Sequence, residues 1–164
     1  MSSTPRKSAF VSGAGRNIGR AIVLELADQG MNVAINGHSD RAACEEVAAA
    51  AKAKGVETMV VMGDVGKSAE VARMAKEVLA RFGSVQVLVN NAAIRPEKPF
   101  LEMTDEDWHR VLDVDLNSAF YTARAFLPGM IEKKWGRVVN LTGMNAIHGY
   151  RGRAPVSAAK HGLW

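Results

Sequence analysis

Short apolar runs alternate with longer amphipathic stretches along this chain. The runs are dominated by Val, Ile, Leu and Met and do not alternate with polar residues, which is typical of strands covered by helices on both faces. They occur in the segments SAFVSG, NVAING, TMVVMGD, VQVLVNN and GRVVNLTG. The pattern therefore predicts five buried strands.

The intervening stretches have helical spacing and recognisable ends. Ile18, Ile22 and Leu26 form an apolar stripe at four-residue spacing, and a glycine follows where the helix should end. The segments SDRAACEEVAAAAKAKG and KSAEVARMAKEVLARFG are rich in Ala and also end in Gly. The segment TDEDWHRVLDVDLNSAFYTARAF predicts a helix that opens with a capping box formed by Thr104 and Asp107.

Strands that alternate with helices build a parallel sheet with right-handed crossovers. We therefore predict an α/β fold of the Rossmann type, a doubly wound parallel sheet with strand order 3-2-1-4-5, in a single domain of residues 1–164. A complete doubly wound domain of this kind has a sixth strand. We therefore expect the sheet to be truncated after the fifth strand and the domain to be incomplete at its carboxyl end.

Composition narrows the functional classes. The 164 residues are 48% hydrophobic and carry a net charge of only +4, without an extended basic tract, so we expect no nucleic-acid partner. Cys44 is the sole cysteine, which excludes an internal disulfide and favours a reducing compartment. The N-terminus lacks an apolar leader and no run is long enough to span a bilayer. We expect a cytoplasmic protein with no membrane contact and no metal site.

A glycine-rich turn follows the first predicted strand and leads into the first helix. In this context glycines allow the backbone to approach a pyrophosphate, and the helix N-terminus offers free N–H groups to its charge. Asn17 stands where such loops usually have a glycine, but Asn tolerates left-handed backbone geometry well. The turn thus predicts a dinucleotide-binding domain, with cofactor contacts from Gly13, Gly15, Arg16, Asn17, Ile18 and Gly19.

The end of the second strand discriminates between the two nicotinamide dinucleotides. An acid there bonds the ribose 2′-hydroxyl, whereas basic residues accept a 2′-phosphate. Gly37 occupies the acid position and has no side chain. Asp40 argues for the unphosphorylated cofactor, but it fits better as a cap of the next helix. We therefore expect NADP(H) to be preferred over NAD(H), which stays possible, with phosphate contacts drawn from Arg16, His38, Ser39 and Arg41.

Four motifs together resemble those of the short-chain dehydrogenase/reductases. SGAGRNIG is similar to the cofactor loop of that family, Asp64 and Val65 resemble its adenine-contacting pair, and VNNAA resembles its NNAG signature. Within that family, the sequence as a whole most resembles the 3-oxoacyl-thioester reductases of bacterial fatty-acid synthesis. The resemblance implies a hydride-transferring oxidoreductase, with further cofactor contacts from Asn90, Asn91, Ala92 and Lys160.

The catalytic pattern departs from the one that the resemblance implies. In the family a tyrosine donates the proton, a lysine one turn later lowers its pKa, a serine polarises the carbonyl and an asparagine anchors a water chain. Lys160 matches the lysine, but Val156 stands at the tyrosine position. Gly143 stands at the serine position and Asp115 at the asparagine position. We expect Lys160 and Asp115 to be the catalytic residues.

Asp115 is informative without any family. It shares a helical stripe with Trp108, Val111 and Ala119, so an acid interrupts an apolar face and needs a partner there. Lys160 is the natural partner. A pair of Asp and Lys without Tyr and Ser resembles the peroxisomal-type 2,4-dienoyl-thioester reductases, in which a bound water relays the proton. The two resemblances together imply an oxo or conjugated enoyl substrate, with or without a thioester link.

Two questions stay open at this level. Tyr150, His148 and Thr142 are alternative proton donors in the loop TGMNAIHGYRGRAP. The whole chain also has an alternative function as a non-catalytic nucleotide-binding protein, serving as a sensor or as a subunit beside an active homologue. The full-length form is expected to be a homo-oligomer.

Overall fold

The computed structural model describes residues 6–164. Residues 1–5, which belong to the stretch predicted to lack an apolar leader, lie outside the described part. The strands are β1 (Ser8–Val11), β2 (Asn32–Gly37), β3 (Thr58–Met62), β4 (Val87–Asn90) and β5 (Arg137–Asn140). The α-helices are α1 (Asn17–Asp28), α2 (Arg41–Lys52), α3 (Ser68–Phe82), α4 (Asp105–Leu112), α5 (Ser118–Glu132) and α6 (Ala154–Leu163).

The five strands form one parallel sheet in the order β3-β2-β1-β4-β5, which confirms the predicted topology. Side chains alternate between the two faces of the sheet. Val11 and Ile35 pack with α1 and α2 on one face. Phe10 packs with α3 and α5 on the other, where its ring lies 5.0 Å from that of Phe126. Both faces are therefore buried along β1, β2 and β4, as the unbroken apolar runs indicated, whereas β3 is only partly buried.

The buried face of α1 is shifted by one residue from the predicted stripe. Gly19, Val23 and Ala27 are buried, whereas Ile22 and Leu26 are only partly buried and Ile18 is 58% exposed. Small residues face the sheet because the glycine turn brings the first turn of α1 very close to β1. The periodicity located the helix correctly, but larger apolar side chains were a poor guide to its inner face.

Helix ends follow local chemistry. Gly30 after α1 has a φ of +76°, and its N–H bonds the carbonyl of Ala27. The carboxylate of Asp40 accepts from the N–H of Ala43 and caps α2, as expected. The reciprocal capping box of Thr104 and Asp107 at α4 is also confirmed.

The long helix predicted from residue 104 onward is interrupted. A π-helical segment, Asp113–Asn117, separates α4 from α5. Its wider turn is accompanied by two side-chain bonds, from the amide of Asn117 to Asp113 and from the hydroxyl of Ser118 to the carbonyl of Val114. Such bulges are frequent at functional sites, and this one carries Asp115.

Strand β5 lies at one edge of the sheet and all four of its residues are exposed, so the prediction of a buried fifth strand is wrong. Within residues 6–164 no helix combines the length and the apolar character that a membrane crossing requires.

The carboxyl ends of all five strands point to the same side of the molecule, because the strands are parallel. The residues that follow those ends are therefore brought together there.

Candidate active site

A cleft of about 510 Å³ opens at the carboxyl ends of β1, β2, β3 and β4. Most residues predicted to bind a cofactor line it, although they come from four separate parts of the chain. They are Gly13, Gly15, Arg16, Asn17, Ile18, Gly19, His38, Ser39, Asp64, Val65, Asn91 and Ala92. Lys160, Asp115 and Asn90 are not among the lining residues.

The glycine turn is tight enough to exclude side chains at two positions. A Cβ on Gly19 would lie 2.4 Å from the carbonyl oxygen of Gly13. Gly13 has a φ of +61°, and a Cβ there would lie 2.8 Å from the Cα of Ala92. Asn17 has a φ of +49°, so it adopts the left-handed geometry that was expected of it. The turn thus leaves bare backbone facing the cleft.

Ser12 and Asn91 hold the turn in place. The Ser12 hydroxyl accepts from the N–H groups of Asn91 and Ala92 at 3.0 and 3.1 Å. In return, the Asn91 amide donates to the carbonyls of Ser12 and Gly13, both at 2.9 Å. Sequence reasoning missed Ser12, although a polar residue directly before the first glycine was a usable signal.

Asn36 is a second residue that sequence reasoning missed. Its buried amide donates to the carbonyls of Val61 and Gly63, both at 3.1 Å, and its oxygen faces the N–H of Gly13 at 3.4 Å. It therefore ties the ends of β1, β2 and β3 together beneath the cleft. A polar residue inside an otherwise apolar strand was the available signal.

Asp64 is held by α4 as well as by its own loop. Its carboxylate accepts from the N–H of Gly66 at 2.9 Å and from the guanidinium of Arg110 at 2.7 Å. Burial alone would raise the pKa of Asp64, but these two bonds outweigh it and hold the pKa below its ordinary value. Nε2 of His38 lies 4.0 Å from the Asp64 carboxylate, on the cleft side. Arg110 was not predicted, because nothing in its sequence spacing links it to Asp64.

Asp115 and Lys160 meet below the cleft. The Asp115 carboxylate accepts from the N–H of Ile94 at 2.8 Å, and its other oxygen lies 3.5 Å from Nζ of Lys160. Lys160 also donates to the carbonyl of Leu141 at 3.1 Å. Burial raises the pKa of Asp115 and lowers that of Lys160, while each charge opposes the shift of the other. The predicted pairing of the two residues is confirmed, and their catalytic role stays a prediction.

The side chain of Asn90 is engaged inside the protein. Its amide donates to Asn140 at 2.9 Å, and its oxygen accepts from the hydroxyl of Thr122 at 2.8 Å. It thereby joins β4 to β5 and to α5. Its proposed contact with a cofactor stays a prediction that the lining of the cleft does not support.

Two of the three positions that depart from the family pattern, Val156 and Gly143, have distinct environments. Val156 is fully buried on α6, one turn before Lys160. Gly143 has a φ of +99° and a ψ of −178°, a region that is essentially restricted to glycine. A serine at that position would therefore strain the backbone of the observed loop. Among the alternative donors, Tyr150 is 45% exposed on the surface of the following loop.

Cys44 is buried against the glycine turn and the end of β2. Burial raises the pKa of its thiol, with a further contribution from the nearby Asp40 carboxylate. The thiol is therefore protonated at neutral pH. Across residues 6–164 there is no grouping of three or more His, Cys, Asp or Glu side chains suited to a metal ion.

Solved structures of two proteins are very similar to this one. A metagenomic short-chain oxidoreductase in complex with NADP matches with a TM-score of 0.91 and 32% identity, over 96% of this chain and 71% of its own. Acetoin dehydrogenase YohF from Salmonella typhimurium matches with a TM-score of 0.92 and 31% identity, over 96% of this chain and 63% of its own.

Curated relatives agree with this likeness. The 3-oxoacyl-[acyl-carrier-protein] reductase FabG of Staphylococcus epidermidis is 41% identical over 157 residues, which cover 96% of this chain and 64% of the relative. The acetoacetyl-CoA reductase of Allochromatium vinosum is 38% identical over 156 residues, covering 94% and 63%. The chain thus spans less than two thirds of the length of these relatives. The family described as short chain dehydrogenase matches residues 7–164, and the chain belongs to it.

Proposed function

We propose that this chain is the dinucleotide-binding part of an NADP(H)-dependent oxidoreductase that acts on an oxo or conjugated enoyl thioester. The observation that carries the proposal is the glycine turn, where a Cβ on Gly19 would strike the carbonyl of Gly13 at 2.4 Å. Such bare backbone at the N-terminus of a helix is suited to a pyrophosphate. The residues present therefore fit a dinucleotide.

Each part of the cleft has a complementary chemistry. The turn and the N-terminus of α1 would hold the pyrophosphate, and Asp64 with the backbone of Val65 would face the adenine. The neighbouring corner of the cleft is lined by Arg16, His38 and Ser39. Because Gly37 contributes no carboxylate there, these groups favour a 2′-phosphate and hence NADP(H).

The relatives support an oxidoreductase over the non-catalytic alternative. Those described above are named as reductases, a dehydrogenase or an oxidoreductase, and two of them act on acyl thioesters by name. We therefore propose a thioester-linked substrate for the full-length protein. We also propose that the full-length form is a homo-oligomer, which mass measurement in solution would test. A cytoplasmic setting remains a proposal supported by the single buried cysteine.

The chemistry requires a hydride and a proton. A bound nicotinamide supplies the hydride when it is reduced. The chain must supply the proton, to the oxygen of a reduced ketone or to the α-carbon of a reduced enoyl thioester. Val156 has no proton to give, and Lys160, one helical turn later, forms a buried pair with Asp115 that can hold a proton.

The pair is suited to relay a proton rather than to donate it directly. Neither residue lines the cleft, and the charged forms of both are disfavoured by burial. A proton therefore moves between Lys160 and the substrate only through water, which matches the enoyl chemistry better than direct ketone reduction. Lack of a positioned acid typically costs about 10²- to 10⁴-fold in rate, so ketone reduction should be slow.

The test is NADPH oxidation by the full-length protein with a 3-oxoacyl and a 2,4-dienoyl thioester side by side. We expect turnover of the dienoyl substrate that is lost in Asp115→Ala and Lys160→Ala. Fast 3-oxoacyl turnover would instead identify another donor, with Tyr150 the first to mutate. Binding of NADPH without turnover of either substrate would favour the non-catalytic alternative. Failure to bind NADPH or NADH would reject the proposal altogether.

A further inference from the structure

Gly37 is the last residue of β2 and lines the cleft at the corner where the ribose of a dinucleotide would lie. Its φ is outside the left-handed region, so the backbone itself does not require a glycine. Any residue could adopt this conformation. The absence of a side chain at this position therefore needs another physical cause.

The cause is a single close contact. A Cβ on Gly37 would lie 2.5 Å from Sγ of Cys44, whereas the next nearest atoms, Cε and Sδ of Met62, lie at 3.3 and 3.4 Å. Optimal contacts between non-bonded heavy atoms are about 3.5–4.0 Å. The flexible end of Met62 can yield by a few tenths of an ångström, but the thiol would have to move much further.

The thiol has little freedom to move. Cys44 is 1% exposed on the inner face of α2, and Sγ is also only 3.1 Å from the position of a Cβ on Gly15. Its side chain has one rotatable bond. The helix behind it is fixed by the buried Val47 and Ala51 in the same core cluster. The sulfur thus fills the space between the glycine turn and the end of β2.

We propose that Cys44 determines cofactor specificity by exclusion, because its thiol occupies the volume that a side chain at position 37 would need. An acid at that position would accept from the 2′-hydroxyl of NAD and repel the 2′-phosphate of NADP. The inference rests on the proposed dinucleotide function. It assigns the preference for NADP(H) to Cys44, a residue that does not itself contact the 2′-phosphate.

Charges at this corner agree with the exclusion. Asp40 also lines the cleft, but its carboxylate caps α2 by accepting from the N–H of Ala43, and Arg41 pairs with Glu45 at 3.2 Å. Arg16 lines the cleft and makes no ion pair within residues 6–164. A carboxylate at position 37 would place a negative charge in the same corner. Keeping the position empty therefore preserves the positive character that a 2′-phosphate needs.

The first experiment is a double-mutant cycle of Gly37→Asp and Cys44→Ala in the full-length protein. Dissociation constants for NADPH and NADH are measured by nicotinamide fluorescence for all four proteins. Gly37→Asp alone should weaken both cofactors without reversing the preference. In the Cys44→Ala background, Gly37→Asp should change the ratio of the NADPH and NADH dissociation constants in favour of NADH. This change should be at least about tenfold larger than the change that Gly37→Asp causes in the parent protein. An equal shift in both backgrounds would overturn the proposal.

A second cycle needs no cofactor. Gly37→Ala adds only the Cβ, so it should lower the Tm by at least about 4 °C in the parent protein and by less than half as much in the Cys44→Ala background. Gly149→Ala is the matched control, since its Cβ would meet no atom within 4 Å and its φ is not positive, and it should leave the Tm unchanged. Equal losses in both backgrounds would disprove the steric exclusion.

The two cycles separate this inference from the proposed function. A parent protein that binds neither nucleotide would reject the proposed function and the assignment of specificity with it. The thermal cycle would still decide whether Cys44 excludes a side chain at position 37. Binding of NADPH together with equal thermal losses would reject the exclusion and leave the proposed function intact.

Discussion

The ammonium nitrogen of Lys160 lies 3.5 Å from a carboxylate oxygen of Asp115, with the two side chains only 3% and 0% exposed. That oxygen of Asp115 has no hydrogen-bond partner in the described part of the chain, so the lysine is its main compensation. Breaking a buried pair by removing one member costs about 3–5 kcal/mol, because the remaining charge is left uncompensated. The pair therefore couples stability to pH.

Asp115→Asn should lower the free energy of unfolding more at pH 6 than at pH 9. Burial already lowers the pKa of Lys160, and the Asp115 charge opposes that shift, so its removal lowers the pKa further. A lysine whose folded-state pKa is depressed contributes stability at high pH that is lost as the pH falls towards that pKa. Urea unfolding at the two pH values measures the difference.

Asp113→Asn is the matched control for this prediction. Asp113 lies in the same π segment, but it is only partly buried and bonds the amide of Asn117. Its substitution should give the same small change at both pH values. A flat or reversed pH dependence for Asp115→Asn would contradict the compensating role of Lys160.

Asn17 should be replaceable by glycine but not by a β-branched residue. Its φ of +49° is accessible to Gly at no steric cost, whereas a left-handed conformation costs other residues about 1–2 kcal/mol. Asn17→Gly should therefore retain NADPH binding, and Asn17→Val should lose both stability and affinity. Thermal melting and fluorescence titration measure the two effects.

Lys134 provides the control for the position of Asn17. It has a φ of +53° beyond the end of α5, away from the cleft. Lys134→Val should lower the Tm by a similar amount without changing the dissociation constant for NADPH. Loss of affinity in Lys134→Val as well would show that the effect at Asn17 is one of general stability.

The Asp64 and Arg110 pair should make the protein sensitive to acid. The pKa of Asp64 is held below its ordinary value, so its contribution is present above about pH 4 and is lost as the pH falls through the folded-state pKa. Because the Arg110 side chain is 40% exposed, we expect only about 1 kcal/mol at pH 7. Asp64→Asn should lose that amount at pH 7 and show a shallower decline of Tm between pH 5 and pH 3.

The exposed pair of Arg73 and Glu77 is the control for this measurement. The two residues lie at 2.7 Å on the surface of α3, in the i, i+4 arrangement. Glu77→Gln should change stability by no more than about 0.5 kcal/mol. An equal effect of both substitutions on the pH profile would show that Asp64 has no special role in acid stability.

The fold could be predicted from the sequence because it depends on local signals. Unbroken apolar runs fixed the parallel strands, and the caps at Asp40 and Thr104 fixed where α2 and α4 begin. The π segment at Asp113–Asn117 could not be predicted. Its apolar spacing is that of an ordinary helix, and the extra residue is accommodated by packing and by side-chain bonds that periodicity does not reveal.

The candidate site could be predicted only where a residue acts through its own position in a motif. The glycine turn was of this kind. Asp115 and Lys160, although distant in sequence, could be paired because both stand at positions of the family pattern and because an acid on an apolar stripe needs a partner. Arg110, Asn36 and the thiol of Cys44 act through partners far away in the sequence, so their roles appear only when the strand ends are brought together.

Val156→Tyr should test whether the chain lacks only a proton donor for ketone reduction. Val156 is fully buried one turn before Lys160, so a tyrosine must be accommodated there at a cost of about 1–3 kcal/mol. Adding Gly143→Ser is the less informative change, since the φ of +99° would cost a further 1–3 kcal/mol, roughly, through the backbone alone. The single variant is therefore the sharper experiment.

Val156→Phe is the matched control, because it adds nearly the same volume without a hydroxyl. If the cleft binds NADPH productively and only the proton donor is missing, Val156→Tyr should raise the rate of 3-oxoacyl thioester reduction by up to about 10²- to 10⁴-fold. Val156→Phe should not raise it. The difference arises because only the phenol can give a proton to the carbonyl oxygen, with Lys160 one turn away to lower its pKa. Equal rates for the two variants would show that the site is shaped for a different reaction, such as the relayed reduction of an enoyl thioester.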